Sequence, residues 1–336
     1  MPEIRLATFN CENLMMRCDF ARSGLANARS RLTDVDSATV AEQVDAVFDV
    51  LSEDDRTLTA QALAATHAEV CALQEVENLV TLTAFDNRYV SRWAGRPFGE
   101  RVLHEGNDSR GIDVGLLSAL PVVFQRSHAR ATFGRLGIAP VRGATVNDYV
   151  FRRDCLEVDV QKEGRRLTLF ICHFKSMHGG RRRTAAVRHA EALAVREIIR
   201  RRFDRPQEAE WVILGDFNDY WEVDGRSTRP HGLEPLIADG FAVDLASRAI
   251  SDPYDRWTHH YSGDDTYGAL DHIFLSPRLA ALNPSAEVEI VRAGAPYRAE
   301  RYDGIRFPGV GWIEPKASDH CPMVTTLKFE GRVAAP

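Results

Sequence analysis

The stretch Trp211-Val-Ile-Leu-Gly-Asp-Phe-Asn-Asp219 joins an apolar run directly to two acids and an amide. Trp211 to Leu214 reads as a buried strand that stops at Gly215 and delivers Asp216 and Asn218. Strand side chains alternate sides, so residues two apart can act on one target. Gly, Asp and Asn also make ordinary turns, and this stretch alone leaves a solvated turn open. Other strand patterns carry the same residue types at their ends, giving the set Asn10, Glu75, Arg153, His173, Asp216, Asn218, Asp271, Asp319 and His320. Carboxylates and amides suit a hard divalent cation such as Mg²⁺, bound through oxygen. His173 and His320 could hydrogen-bond or protonate an anionic oxygen. A single His after a strand is more often structural; nine polar residues placed alike make coincidence a poor account.

The elements that must carry these residues follow from periodicity. Ile4–Phe9 alternates and ends at Asn10; Glu69–Leu73 ends in Gln74-Glu75. Asp108–Ser118 is a turn followed by a strand, and Pro121–Asn147 is irregular, broken by Gly134, Gly137, Pro140 and Gly143. Tyr149–Val160 and Arg166–Cys172 read as strands joined by a hairpin turn at Lys162–Arg165, the second ending at His173. A long helix is expected from about Arg181 to Phe203, with Ala186, Leu193, Val195, Ile198 and Ile199 on its apolar side. Its other side carries Arg181, Arg182, Arg183, Arg188, Arg196, Arg200 and Arg201, either as a solvated face or, near the helix start, as partners for phosphate. Leu233–Ile237 is a short helix. Trp257–Tyr261, Ala269–Leu275, Val288–Val291 and Met323–Phe329 complete the strands. Helix-like spacing over Asp34–Leu51, continued by Thr59–Thr66, marks a helical insertion at about residues 15–60. Strands alternating with two or three helices make a mixed α/β chain, and no repeat or linker divides residues 1–336.

Composition excludes other classes. The chain has 336 residues, 44% of them hydrophobic, and a net charge of −6, an ordinary soluble globular balance. No apolar run approaches the roughly 20 residues that span a bilayer, and no secretory signal precedes Ile4, so a cytoplasmic location is expected. The six cysteines form no CxxC pair, which fits buried reduced thiols better than zinc ligands. The mild acidity opposes a nucleic-acid partner only weakly, since a local basic cluster can suffice.

Thr8-Phe-Asn10, Leu73-Gln-Glu75, His173-Phe-Lys-Ser176, Leu214-Gly-Asp-Phe-Asn218, Leu270-Asp-His-Ile-Phe274 and Ser318-Asp-His320 together resemble the ordered motifs of the endonuclease/exonuclease/phosphatase family, the deoxyribonuclease I-like superfamily. The resemblance spans about Ile4 to Lys328. It implies a four-layer α/β sandwich, two packed mixed β-sheets flanked by helices, and metal-dependent phosphoester hydrolysis at one edge. It implies that Glu75, Asn10 and Asp319 hold Mg²⁺ or Mn²⁺. By the same resemblance Asp216 and Asn218 orient or deprotonate the attacking water. His320, oriented by Asp271, donates to a phosphate oxygen or acts as base, and His173 contacts the phosphate from the other side. Arg153 resembles a phosphate-contacting arginine, and Glu12 falls where some members carry a metal-linked acid. His at 173 resembles the deoxyribonuclease I, sphingomyelinase and inositol-phosphatase branches rather than the apurinic endonucleases. The segments between Asn10 and Glu75 and before Ser318 are longer than the family pattern leads one to expect, and rim loops of this kind select substrates.

Three functions compete. One is a nuclease on DNA or RNA with little sequence preference; one is a phosphatase or phosphodiesterase on a lipid head group or small phosphate ester; one is a catalytically silent binding module. The full set of acids, amides and histidines opposes the last. Lys175 and Arg181-Arg-Arg183, just after His173, favour a nucleic-acid substrate, because such cations can meet the phosphates flanking the scissile one. No obligate protein partner is evident, and the oligomeric state is left open.

Overall fold

The long strands are apolar on both faces, so each sheet needs cover on both sides. The computed structural model describes residues 1–15, 53–228 and 232–333. Its first half runs β1 (Glu3–Leu14), α1 (Glu53–Ala65), β2 (Val70–Val76), β3 (Glu100–Leu103), β4 (Asp113–Ser118), β5 (Val122–Ser127), β6 (Cys155–Lys162), β7 (Arg165–His173) and α2 (Arg181–Arg202). The second half runs β8 (Trp211–Asp216), β9 (Glu222–Val223), β10 (Arg226–Ser227), β11 (Val243–Asp244), β12 (His259–Tyr261), β13 (Thr266–Gly268), β14 (Asp271–Leu275), β15 (Glu289–Ile290), β16 (Met323–Lys328) and β17 (Arg332–Val333), with short helical turns between.

One mixed sheet has the order β15-β16-β1-β2-β4-β3 and the other β11-β14-β8-β7-β6-β5, with β17 beside β7; a small sheet, β10-β9-β13-β12, is separate from both. Alternation decides the layers. Ile4, Leu6, Val70 and Ala72 of the first sheet meet Leu167, Leu169, Val212 and Leu214 of the second in one inner core. The opposite faces pack outward: Phe9 and Leu73 with Leu58 and Ala62 of α1, and Phe170, Trp211 and Ile213 with Val195 and Ile199 of α2. The result is the expected four-layer sandwich. Among the described residues no helix is long and apolar enough to cross a membrane, and the five described cysteines are buried free thiols.

The inward columns do not stop where the apolar core stops. In β7 the series Leu167, Leu169, Ile171 continues to His173; in β8 Val212, Leu214 continues to Asp216; in β14 Leu275, Ile273 leads back to Asp271. β7 pairs parallel with β8, which sets His173 beside Asp216, and β14 pairs antiparallel with β8, which sets Asp271 on the other side. Gly215 makes this approach possible. Its φ is +146°, and a Cβ there would overlap the Cys172 carbonyl oxygen.

Some elements differ from the sequence expectation. Val122–Ser127, expected to be irregular, is edge strand β5, whose polar, half-exposed residues pair only with β6. Tyr149–Asp154, expected to be strand, leaves the sheet: Val150 N–H goes to Ala131 O and Arg152 N–H to Glu191 Oε1. Arg153 therefore sits in a loop. β1 runs past Asn10 to Leu14 through positive φ values at Glu12 and Asn13. The expected helix over Asp34–Leu51 lies outside the described residues, as does Cys18; the described end of the proposed insertion is α1.

Gly215→Ala is expected to cost about 2 kcal/mol or more, read as a lower urea midpoint at unchanged slope. An unchanged midpoint would show that the backbone relaxes and that the tight β7/β8 approach does not depend on glycine.

Candidate active site

The row His173–Asp216–Asp271 is buried at the rim of the sandwich. Asp216 is held from several sides: Asn10 Nδ2 and Asn218 Nδ2 each donate to Oδ2 at 2.9 Å, and Asn218 N–H donates to Oδ1 at 2.8 Å. Asn218 reaches back because its φ is +50°. Burial, helped by the Asp271 charge and opposed by His320, pushes the Asp216 carboxyl up to about 7. His173 Nε2 stands 3.4 Å from Asp216 Oδ2 and 3.9 Å from Glu75 Oε1, and neither ring nitrogen has a hydrogen-bond partner. Burial, then the charges of Arg153 and His320, hold this imidazole well below its usual range, so it is neutral.

His320 arrives from the loop before β16. Ser318 Oγ donates to Asn10 O at 2.7 Å and accepts from His320 N–H, which fixes that loop on β1. His320 Nδ1 lies 2.7 Å from Asp271 Oδ2. Thr258 Oγ1 donates to the same oxygen at 2.7 Å and accepts from Asp271 N–H. Nε2 then faces outward, 4.0 Å from Asp216 Oδ2 and 4.0 Å from Asp319 Oδ1. Burial opposes protonation, but Asp271 and Asp216 outweigh it and hold His320 well above the usual imidazole range. The site thus combines a neutral histidine, a charged histidine and a carboxyl poised near neutrality, which suits proton transfer at an anionic centre.

The oxygen donors Asn10, Glu75 and Asp319 meet at the same rim. Asn10 Oδ1 accepts from Glu12 N–H, and Glu75 Oε2 accepts from Asn13 N–H at 3.0 Å. Burial and the Asp319 charge raise the Glu75 pKa, against the charges of His320, Arg110 and Arg153. A hard dication fits that set of donors. Two groups of possible ligand atoms among the described residues lie within 4.8 Å of one another: His259, Asp319, His320, and Asp216, Asp271, His320. Glu75 belongs to neither. Glu12 Oε2 accepts from Asp319 N–H at 2.8 Å, while Oε1 meets Lys316 Nζ at 2.9 Å. Glu12 therefore braces the Asp319 loop.

The cations divide into two kinds. Arg153 is buried; Nη1 donates to Phe174 O at 2.9 Å, and Nε lies 2.8 Å from Asp108 Oδ2 without hydrogen-bond alignment. Lys175 Nζ turns to Ser176 O and Oγ. Arg181 pairs with Asp219 at 2.8 Å and covers the Tyr220 ring at 4.1 Å. Arg182 and Arg183 are exposed. The helix face expected to be solvated is partly internal: Arg188 is fully buried on Asp219 Oδ2 at 2.9 Å, and Arg196 is buried on Pro235 O, Ala238 O and Asp239.

Sequence reasoning missed Thr258, His259, Asp219 and Glu191. Asp219 had a signal: Arg181 and Arg188 are seven apart, hence on one helix face, and an acid close to the site was the natural partner. Glu191 of α2, buried, accepts from Arg152 N–H and Lys175 N–H, joining the loops on both sides of the site. Nothing in its neighbourhood of the sequence marks that role.

The model of the Endonuclease/Exonuclease/phosphatase family matches residues 7–320 of this chain. No curated protein sequence matches. A truncated TDP2 from Caenorhabditis elegans is similar in structure, with a TM-score of 0.55 at 14% identity over 97% of both chains. D. rerio TDP2, complexed with a single-strand DNA product, gives 0.54 at 15% identity over 98% of this chain and 100% of that one. An endonuclease/exonuclease/phosphatase family protein from Leptotrichia buccalis gives 0.54 at 13% identity over 97% and 100%. At such identities the likeness is one of fold.

Burial, against its two backbone hydrogen bonds, pushes Glu191 up to about 7 from an ordinary 4.5. A raised folded pKa gives stability that is full below about pH 4.5 and lost as pH rises through 7. Glu191→Gln should therefore gain on the wild type between pH 5 and 8, by up to about 3 kcal/mol, in urea melts across pH. Parallel curves for the two proteins would mean that Glu191 is ionised throughout.

Proposed function

The chain belongs to the endonuclease/exonuclease/phosphatase family, and from that premise we propose that it is a metal-dependent phosphodiester hydrolase acting on DNA or RNA with little sequence preference. The observation that carries the reading is the 2.7 Å contact between His320 and Asp271, which leaves Nε2 free beside Asp216. His320, as imidazolium, donates from Nε2 to a phosphate oxygen where negative charge develops. Asp271, steadied by Thr258, keeps the ring oriented. Asp216 takes the proton of the attacking water, and its pKa of about 7 suits that task. Asn10 and Asn218 hold its carboxylate in one orientation. Neutral His173 contacts the phosphate from the opposite wall. Asn10, Glu75 and Asp319 would hold Mg²⁺ or Mn²⁺, which when bound adds positive charge against the phosphoryl oxygens.

The substrate reading rests on Lys175, Arg182 and Arg183, with Arg153 behind them. Arg181 is already neutralised by Asp219, so it braces the helix start. The DNA product bound to the D. rerio structure supports a polynucleotide for this chain. A cytoplasmic location is part of the same proposal.

Excess chelator should abolish hydrolysis of a small diester, and Mg²⁺ or Mn²⁺ should restore it. Under restored conditions His320→Ala and Asp216→Asn should each lower kcat by roughly 10²–10⁴-fold, and the double variant little more, because groups acting together are non-additive. Losses that multiply would break the assigned partnership.

Binding of a DNA duplex and an RNA strand to the Asp216→Asn protein should weaken steeply with salt. Replacing both Arg182 and Arg183 with Ala should lower the log–log slope by about 1–2 and spare the small diester. Salt-independent binding would instead move the small-ester or lipid phosphodiesterase ahead.

A further inference from the structure

We infer that His259, Asp319 and His320 form a mixed nitrogen–oxygen cation site that selects a transition-metal ion such as Zn²⁺ over Mg²⁺. The backbone builds it. His259 of β12 and His320 form an isolated antiparallel bridge, flanked by His260 N–H to Asp319 O at 3.3 Å and Cys321 N–H to Thr258 O at 2.6 Å. Directly paired residues present their side chains on the same face, and the two imidazoles stand with ring centroids 4.7 Å apart and planes at 58°. They are therefore adjacent without being stacked.

The free nitrogens are defined. His320 Nδ1 is committed to Asp271, leaving Nε2, which stands 4.0 Å from Asp319 Oδ1 and whose proton a bound ion would displace to solvent. His259 Nε2 stands 3.6 Å from Asp319 Oδ2. Both separations exceed a hydrogen bond. One ligand atom from each of the three residues lies within 4.8 Å of the others. Ligands at about 2.0–2.1 Å from a tetrahedral ion are about 3.3 Å apart, so side-chain adjustments on the order of 1 Å would close the group on an ion. The Asp271–His320 contact has the form of the carboxylate–histidine pair that orients a metal-bound imidazole. Two imidazoles and one carboxylate suit Zn²⁺, Cu²⁺ or Ni²⁺, whereas Mg²⁺ prefers oxygen. An ordinary His259–Asp319 ion pair is the competing account, and it predicts no second nitrogen on any ion.

Binding itself does not depend on the hydrolase reading. One consequence does: an ion here occupies the His320 Nε2 that hydrolysis needs free, so Zn²⁺ should oppose turnover. Tight binding without inhibition would fault the catalytic roles and leave the site standing.

The test uses the full chain, stripped of metal and held in excess Mg²⁺. Cu²⁺ added at one equivalent should show two imidazole nitrogens by pulsed electron paramagnetic resonance. Zn²⁺ affinity by calorimetry should fall at least about tenfold in His259→Ala and in His259→Phe, the latter keeping ring volume. The wild-type spectrum decides even if neither variant folds. One imidazole or none, or displacement by millimolar Mg²⁺, would overturn the proposal. Zn²⁺ binding that survives loss of His259 but not Asp216→Asn would place the ion in the Asp216, Asp271, His320 group instead and overturn it too.

Discussion

The site depends on one register. β8 lies between a parallel neighbour and an antiparallel one, and that pairing sets His173 and Asp271 on either side of Asp216. Side chains on adjacent strands at one level are held at near-contact distance. No loop has to place them. The same alternation that directs Ile171 and Leu214 into the core directs the next inward residues to the rim. Function is thus an extension of core packing by one residue per strand, and disturbing the packing near Gly215 would move the chemistry.

That placement has an electrostatic cost. Asp216, Glu75 and His173 are buried or nearly so, and burial disfavours charge on each. The protein offsets part of this with a charged His320 between acids and with amide and backbone donors on Asp216. It leaves Glu75 raised and both nitrogens of His173 without partners. Perturbed acids and an unpartnered buried imidazole at one rim are the features by which a candidate site is recognised.

The strand ends were legible because they combine two sequence signals: an apolar period of two, and a switch to a chemically active residue at the next inward position. Asn10, His173, Asp216 and Asp271 all carry both. The order of motifs gave the layers. What stayed hidden lacked one signal. β5 is an edge strand whose polar residues blur its alternation. Tyr149–Asp154 alternates well but is drawn off the sheet by Glu191, thirty-nine residues beyond Arg152. Thr258 and His259 lie in a stretch legible as strand, but alternation there does not show which strand end or loop they face. Their neighbours come from Asp271 and His320, known only once the chain is folded.

The arginines of α2 show why charge counted along a helix misleads. Seven basic residues on one side suggest a surface for a polyanion, yet a helix packed on a sheet must also meet the loops at its ends. Asp219 collects Arg181, Arg188 and the Gly232 N–H, and Arg188 Nη1 returns to Lys175 O. These contacts tie the loop after β7 to the loop after β8. A buried pair of this kind adds little net stability, but removing either partner would leave the other buried and uncompensated. Its contribution is geometric: it fixes the chain just beyond Asn218, whose amide orients Asp216. The basic run is therefore two structures in one. Its inner arginines tie the loops that flank Asp216, and Arg182 and Arg183 in the first turn are exposed.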